Sequence, residues 1–377
     1  MSNTLTTVIP QLLAQGLMAL RENAIMPRLV NTSYDTMAAE KGAAITVPIP
    51  SAITVQDVSP AATPATNSQI TTTSATITMS SWKEAPFHLT DKEIAEAMTG
   101  IIPMQASEAI KALGNQIDTD IMGLYTGIYG FAGSSGVTPF GSSVAEATEA
   151  RKILNNQLCP LQDRRFVIDP DAEANALGLR AFQDMSFSGT NEGIADGLIR
   201  RKLGFDWFMD QNVPDHTCGT RTATNTTTNA TAAVGDLTIA VTAGSGNTIA
   251  GDVFTVAGDT QTYVCSSVTN TAGGTITFTP AAKVAWATSA AITFKGTAST
   301  AYAQNLAFHR DAIAFATRPL VDIADGLGNI ITAAVDPISK IALRLEVSRE
   351  HKRTRFSYDI LYGMALVRAD LATRITG

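Results

Sequence analysis

Apolar residues recur at three- and four-residue steps at the start of the chain: Leu5, Val8, Ile9, Leu12, Leu17 and Leu20, with Pro27 closing the run. That spacing predicts an amphipathic helix over 4–25. It stands ahead of any compact domain, so its apolar stripe must dock at a distance or on another chain. From 42 to 90 the pattern becomes alternation, with Ala75, Ile77 and Met79 set between Thr76, Thr78 and Ser80. This two-residue period predicts two long, half-exposed strands around a Pro-, Thr- and Ala-rich tip. A two-stranded ribbon is marginal in water, so it is expected to lie on a neighbour.

Thr90 followed by Glu93 makes a capping box. After Pro103, the positions Ala106, Ile110, Leu113, Ile117, Ile121, Leu124 and Ile128 predict one long helix face. Asp118 and Asp120 flank that face and are expected to be solvated, with no histidine nearby to suggest a metal or acid–base pair. "YGFAGSSGVTPFGSS" (129–143) ends the helix. Helix and strand then alternate to residue 218: a helix over 144–156, a buried strand "RRFVID", a helix from Pro170 capped by Asp169, and a strand in "GFDWFMDQNVP". "NLAFHRDAIAFATR" predicts a strand, then a helix, with His309, Arg310 and Asp311 at the joint. The final stretch predicts a hairpin: Ile341, Leu343, Leu345 and Val347 alternate inward, "REHKRT" turns, and Phe356, Tyr358, Ile360 and Tyr362 alternate on the return.

Composition changes the picture at residue 219. Between 219 and 300 the chain holds 22 Thr and only six charged residues, Arg221, Asp236, Asp252, Asp259, Lys283 and Lys295. Short strands at about ten-residue spacing predict a small antiparallel barrel or sandwich inserted into an α/β region that resumes at Tyr302. Over the whole chain of 377 residues, charged residues make up 16%, against about 25% in an ordinary soluble chain. A surface so poor in charge is suited to meeting other protein. The net charge of −7 argues against a protein whose main task is gripping nucleic acid. The basic turn, with Arg349, His351, Lys352, Arg353 and Arg355 beside Glu346 and Glu350, is read first as a solvated end, then as a source of ion pairs to a neighbouring subunit, and last as a nucleic-acid contact.

Candidate chemistry is sparse. The H-R-D triplet is not a kinase loop, because Ala316 stands where that loop needs asparagine. The nucleophile elbow, the H-E-x-x-H helix, the phosphate loop and the dinucleotide fingerprint are missing. His88, His216, His309 and His351 sit singly, and Cys159, Cys218 and Cys265 form no C-x-x-C pair, so neither zinc nor disulfides are indicated. The sequence therefore nominates no catalytic, cofactor-binding or metal residue. It shows no signal peptide and no membrane span.

The stretches "WKEAPFHLTDKE", "RRKLGFDWFMDQNVP", "NLAFHRDAIAFATRPL" and "LYGMALVRADLATRITG" resemble recurrent stretches of the P22-type coat protein family. These are tailed-phage major capsid proteins of the HK97 fold, and "IAGDVFTVAG" with "GTITFTPA" is similar to that family's insertion domain. The resemblance spans nearly the whole chain. It implies an α+β fold with an N-terminal arm (1–41), an extended β-ribbon loop (42–90), a spine helix of the peripheral domain (91–140), an axial domain in two parts (141–218 and 301–335), an inserted β-barrel-like domain (219–300) and a peripheral-domain hairpin with a C-terminal segment (336–377). It also implies self-assembly into hexamers and pentamers of an icosahedral shell enclosing double-stranded DNA, with non-specific DNA contact, a portal protein at one vertex, a separate scaffolding protein and no membrane. The chain would then be found in the virion, and in host cytoplasm during assembly. Candidate intersubunit contacts are Leu12, Leu17, Ile53, Val55, Ile77, Trp82, Arg349, Lys352, Arg353 and Arg355. The alternative is an encapsulin-like bacterial compartment shell of the same fold. A surface adhesin built on the Thr-rich segment is disfavoured by the α/β body and the long helix.

Overall fold

A computed structural model describes residues 24–34, 44–50, 72–96, 101–183, 197, 199–220, 230–242, 247–268, 274–318, 329–336 and 340–376, with isolated positions between them such as Leu13, Ile53 and Val55. The chain divides into two units: 1–19, 31–110 and 313–367 form the first, and 20–30, 111–312 and 368–377 the second.

In the first unit, β1 (Ala44–Ile49) and β2 (Thr73–Thr78) pair antiparallel, with Ile45 opposite Ile77 and Val47 opposite Ala75. The other strands are β3 (Ser81–Thr90), β15 (Ile313–Thr317), β16 (Ile330–Val335), β17 (Ala342–Glu350) and β18 (Arg353–Leu366). The long β18 organises this sheet. It pairs with β17 as the expected hairpin, with β3 over Arg353–Tyr362 and with β15 over Tyr362–Leu366. Leu343, Leu345, Val347, Phe356, Tyr358, Ile360 and Tyr362 are all buried, as their alternation requires.

Two expectations fail in this unit. The stretch after His309 is not a helix: Arg310–Ala312 makes one 3-10 turn and Ile313–Thr317 is β15, buried at every position. A short apolar run covered on both faces carries no period that separates a buried strand from a helix. Nor does the ribbon leave its inner face for a neighbour. Ile45, Val47, Ile77 and Met79 pack on Ala314, Ala316 and Leu361 of the same chain. The approach is close at Gly363, where a Cβ would lie 2.5 Å from the Thr78 carbonyl oxygen.

The long helix runs Ile101–Met122, and a 3-10 turn, Gly123–Gly127, follows it. Ala106, Ile110, Leu113, Ile117 and Ile121 are buried along its predicted face. The capping box opens a separate short helix, Asp91–Glu96: the Thr90 backbone N–H and hydroxyl donate to Glu93 Oε2, each at 2.8 Å, and the Glu93 N–H donates back to Thr90 Oγ1.

The second unit is built on a mixed sheet of β4 (Gly130–Ala132), β5 (Arg164–Ile168), β6 (Asp206–Met209), β14 (Asn305–His309) and β19 (Ala372–Ile375), in the order β4-β19-β14-β5-β6. Here a grouping made from sequence is corrected. The C-terminal segment does not stay with the hairpin; β19 pairs with β14 and β4 in this other unit. The helices Ala145–Asn156 and Pro170–Gly178 form as predicted, the second capped by Asp169. Phe166, Trp207, Phe140, Phe205 and Phe182 pack as an aromatic cluster, with the Phe166 and Trp207 rings stacked at 4.2 Å.

Strands β7 (Asp215–Thr217) and β13 (Ala301–Ala303) pair with each other and bracket the Thr-rich segment. Between them lie β8 (Thr238–Ala240), β9 (Val253–Val256), β10 (Tyr263–Val268), β11 (Thr275–Thr279) and β12 (Ile292–Phe294), an antiparallel sheet in the order β12-β9-β10-β11-β8. It has its own core, including Phe254, Tyr263, Phe278 and Trp286. The pairing of β7 with β13 thus holds the two ends of the segment together.

Candidate functional site

Two places gather side chains with something to do: the outer surface of the ribbon and hairpin in the first unit, and a buried polar centre in the second. On the ribbon, Ile53 is 69% and Val55 98% exposed. Two β-branched apolar side chains standing in water on a loop stem are the kind of surface that another protein covers. Trp82 is 50% exposed, and its Nε1 donates to Asp359 Oδ2 at 3.0 Å. The same carboxylate receives the Arg344 guanidinium, so the indole is held while part of its ring stays open. Ile77 leaves the set of candidate contacts, because it is fully buried on its own chain. Leu12 and Leu17 lie outside the described residues.

The basic turn is paired within the chain. Arg349 binds Asp91 at 2.6 Å, Arg353 binds Glu350, and Arg355 binds Glu84 at 2.9 Å. Lys352, at the turn with φ +55°, is exposed. These ion pairs are exposed or half-exposed and contribute little stability one by one. They do join the turn to β3 and to the helix after it.

Asp118 corrects a sequence expectation. It is fully buried, and its two carboxylate oxygens accept the backbone N–H groups of Ile25 and Met26, both at 3.0 Å. The segment from 24 to 30 is thereby anchored to the long helix. Burial, reinforced by the nearby Asp210 carboxylate, pushes the Asp118 carboxyl up to about 7, against the two N–H bonds and Arg28. Asp210 is also fully buried and shifted upward by burial. Nothing local in the sequence marks Asp118, because its partners are more than ninety positions away.

The polar centre surrounds Arg374, which is fully buried on β19. Its Nε donates to the Ile128 carbonyl at 2.8 Å and its Nη1 to the Gly251 carbonyl at 2.7 Å, and its guanidinium lies 5.4 Å from the Tyr125 ring centre. Its Nη2 has no hydrogen-bond partner among the described residues. Burial lowers the guanidinium to about 10, so it remains a cation at neutral pH. Beside it, the Tyr125 hydroxyl is 3.1 Å from His216 Nδ1, and His216 Nε2 is 3.0 Å from Asp252 Oδ1. The Tyr302 hydroxyl is 3.3 Å from Cys218 Sγ. Burial pushes the Cys218 thiol up to about 11 and shifts the Tyr125 and Tyr302 hydroxyls upward. Among the described residues, His216, Cys218 and Asp252 form the one group of metal-ligating side chains, with ligand atoms within 4.8 Å of one another. Sequence reading left the three apart, since no motif spacing links positions 216, 218 and 252.

His309, from the H-R-D triplet, is buried at the end of β14, and its Nδ1 accepts the Asp311 N–H. Burial lowers its basicity. The three residues form a joint between strands rather than a reacting group.

By sequence the chain matches no protein-family model and no curated protein. Its fold does match solved structures. It superposes on a chain of Mycobacterium phage Che8 with a TM-score of 0.55 and 14% identity, over 93% of this chain and 90% of that one. It superposes on a chain from the capsid structure of the Cyanophage P-SCSP1u with a TM-score of 0.53 and 14% identity, over 94% and 88% respectively. The chain thus has an α+β fold that matches HK97-like phage capsid proteins.

Proposed function

We propose that this protein is the major capsid protein of a tailed bacteriophage, a structural subunit that assembles with itself into an icosahedral shell around double-stranded DNA. The observation that carries this reading is the fold match, which runs through 94% of the chain onto a capsid structure. The surface agrees with it. Ile53 and Val55 are exposed apolar side chains on the loop stem, the charge content is low, and the net charge is negative, as suits a wall that encloses DNA without reading its sequence. At finer resolution we assign the chain to a P22-type coat lineage. The support is the matching sequence stretches, together with residues 219–300, which have their own core and ends joined by β7 and β13.

On this reading the ribbon presents Ile53 and Val55, with Trp82 and Lys352 as further contacts, to adjacent subunits of hexamers and pentamers. Each contact can be modest, because an interface of about 1,600 Å² repeated over a closed shell gives a very stable whole. A separate scaffolding protein directs closure, a portal occupies one vertex, and the product is a virion component with no enzymatic task. The test is electron microscopy of the recombinant chain expressed alone and with a co-expressed scaffold from the same genome. Closed shells in either case are the expected result, and their contents separate a genome container from a protein-loaded compartment. Amorphous aggregate or isolated subunits under both conditions would overturn the proposal.

A further inference from the structure

Independently of the assembly reading, one centre in the second unit has the parts of a ligand site. His216 is on β7, Cys218 follows that strand, and Asp252 immediately precedes β9 in the Thr-rich segment. Their imidazole, thiol and carboxylate converge within 4.8 Å, all buried. We propose that His216, Cys218 and Asp252 bind a divalent transition-metal ion, zinc by the chemistry of the donors, which staples the root of the 219–300 segment to the strand pair that bears it.

Nitrogen, sulfur and carboxylate oxygen in one small cluster suit zinc, which takes such ligands at roughly 2.0–2.3 Å in a tetrahedral set. The surroundings are arranged to match. The Tyr125 hydroxyl engages Nδ1 of His216 at 3.1 Å, which leaves Nε2 facing Asp252 for the metal. The backbone N–H groups of Ile249, at 3.0 Å, and Gly219, at 3.3 Å, orient the Asp252 carboxylate. On the Cys218 and Asp252 side of the cluster, away from the His216 ring, a void of about 10 Å³ is walled by those two residues with Gly219, Val253, Phe294 and Gly296, room for one small ion or water. Two glycines keep it open. A Cβ at Gly296 would overlap Cys218 Sγ, and one at Gly219 would come within 2.9 Å of Asp252 Oδ2.

Charge can also balance. On binding, Cys218 loses its thiol proton to solvent, so the thiolate and the Asp252 carboxylate together offset the two positive charges of the ion. The Arg374 guanidinium favours that thiolate and keeps its own bonds to the Ile128 and Gly251 carbonyls. The fourth position falls to a water or to the Tyr302 hydroxyl, already 3.3 Å from Cys218 Sγ.

The test uses the full-length chain. After expression in zinc-supplemented medium and gel filtration, elemental analysis should give about one zinc per chain. Cobalt added to the stripped protein should produce a near-ultraviolet thiolate-to-cobalt charge-transfer band. Cys218→Ser should abolish that band, and Asp252→Asn should weaken zinc binding about 10-fold or more. The cobalt spectrum of the unmodified chain needs no variant to fold. Zinc below about a tenth of an equivalent together with no cobalt–thiolate band would overturn the proposal, as would full zinc occupancy in Cys218→Ser.

Discussion

Asp118 shows how far one residue can stand from its sequence pattern. It is next to Ile117 on the long helix, where polarity suggests a solvated flank, yet it is sealed over the N–H groups of Ile25 and Met26. Its carboxyl is raised to about 7 in the fold, against an unfolded value of about 3.9. A carboxyl raised in this way favours the fold most while protonated. That contribution is complete below about pH 4 and is lost as pH rises through about 7. Thermal stability should therefore fall between about pH 4 and pH 7, and Asp118→Asn should flatten that dependence by on the order of a few degrees. An unchanged slope in the variant would refute the assignment. Arg374 makes a second case. Its partners come from positions 128, 251 and 304, so no local motif announces it. Arg374→Met should cost about 3 kcal/mol or more in urea unfolding, because two buried carbonyls lose a charged donor; a loss under about 1 kcal/mol would mean the centre tolerates its absence.

Elements with a strong period were legible and short apolar ones were not. β17 follows its alternation, while its partner β18 is buried at every position from Phe356 to Gly363, and the Thr90–Glu93 box forms the bonds its spacing implies. Ile313–Thr317 was misread because both of its faces are buried and five residues cannot distinguish the two periods. The ribbon was half legible. Alternation gave the strands, but whether Ile77 faces its own chain or another depends on β15 and β18, which are more than two hundred residues away. The tight contact at Gly363 makes that docking testable. Gly363→Val should push the Thr78 backbone away, lower stability by about 1–3 kcal/mol and expose the ribbon to limited proteolysis. Equal protease resistance in the variant would mean the ribbon does not depend on this contact.

At the scale of the whole molecule, recurrent stretches spread along the chain pointed to the capsid fold before any contact was known, and the superposition onto a capsid structure over 94% of the chain agrees with them. The boundaries between units were less legible. The chain enters the first unit at Ile313 and leaves it after Val367, so strands adjacent in sequence, β14 and β15, belong to different sheets. Apolar patterning records that a strand is buried, not which sheet buries it. Shell assembly, as proposed, is a property of many copies, and the exposed pair Ile53 and Val55 is where that proposal places it on the single chain.

The most direct test of the proposed assembly is sedimentation velocity of the wild-type chain and the Ile53→Asp/Val55→Asp double variant, each expressed with and without the proposed scaffolding protein. The account predicts fast-sedimenting closed particles from wild type in at least one condition. It predicts only small species from the variant, with an unfolding temperature within about 2 °C of wild type, because the two side chains are already in water in the single subunit. Wild type that stays monomeric in both conditions, or a variant that assembles as readily as wild type, would contradict it.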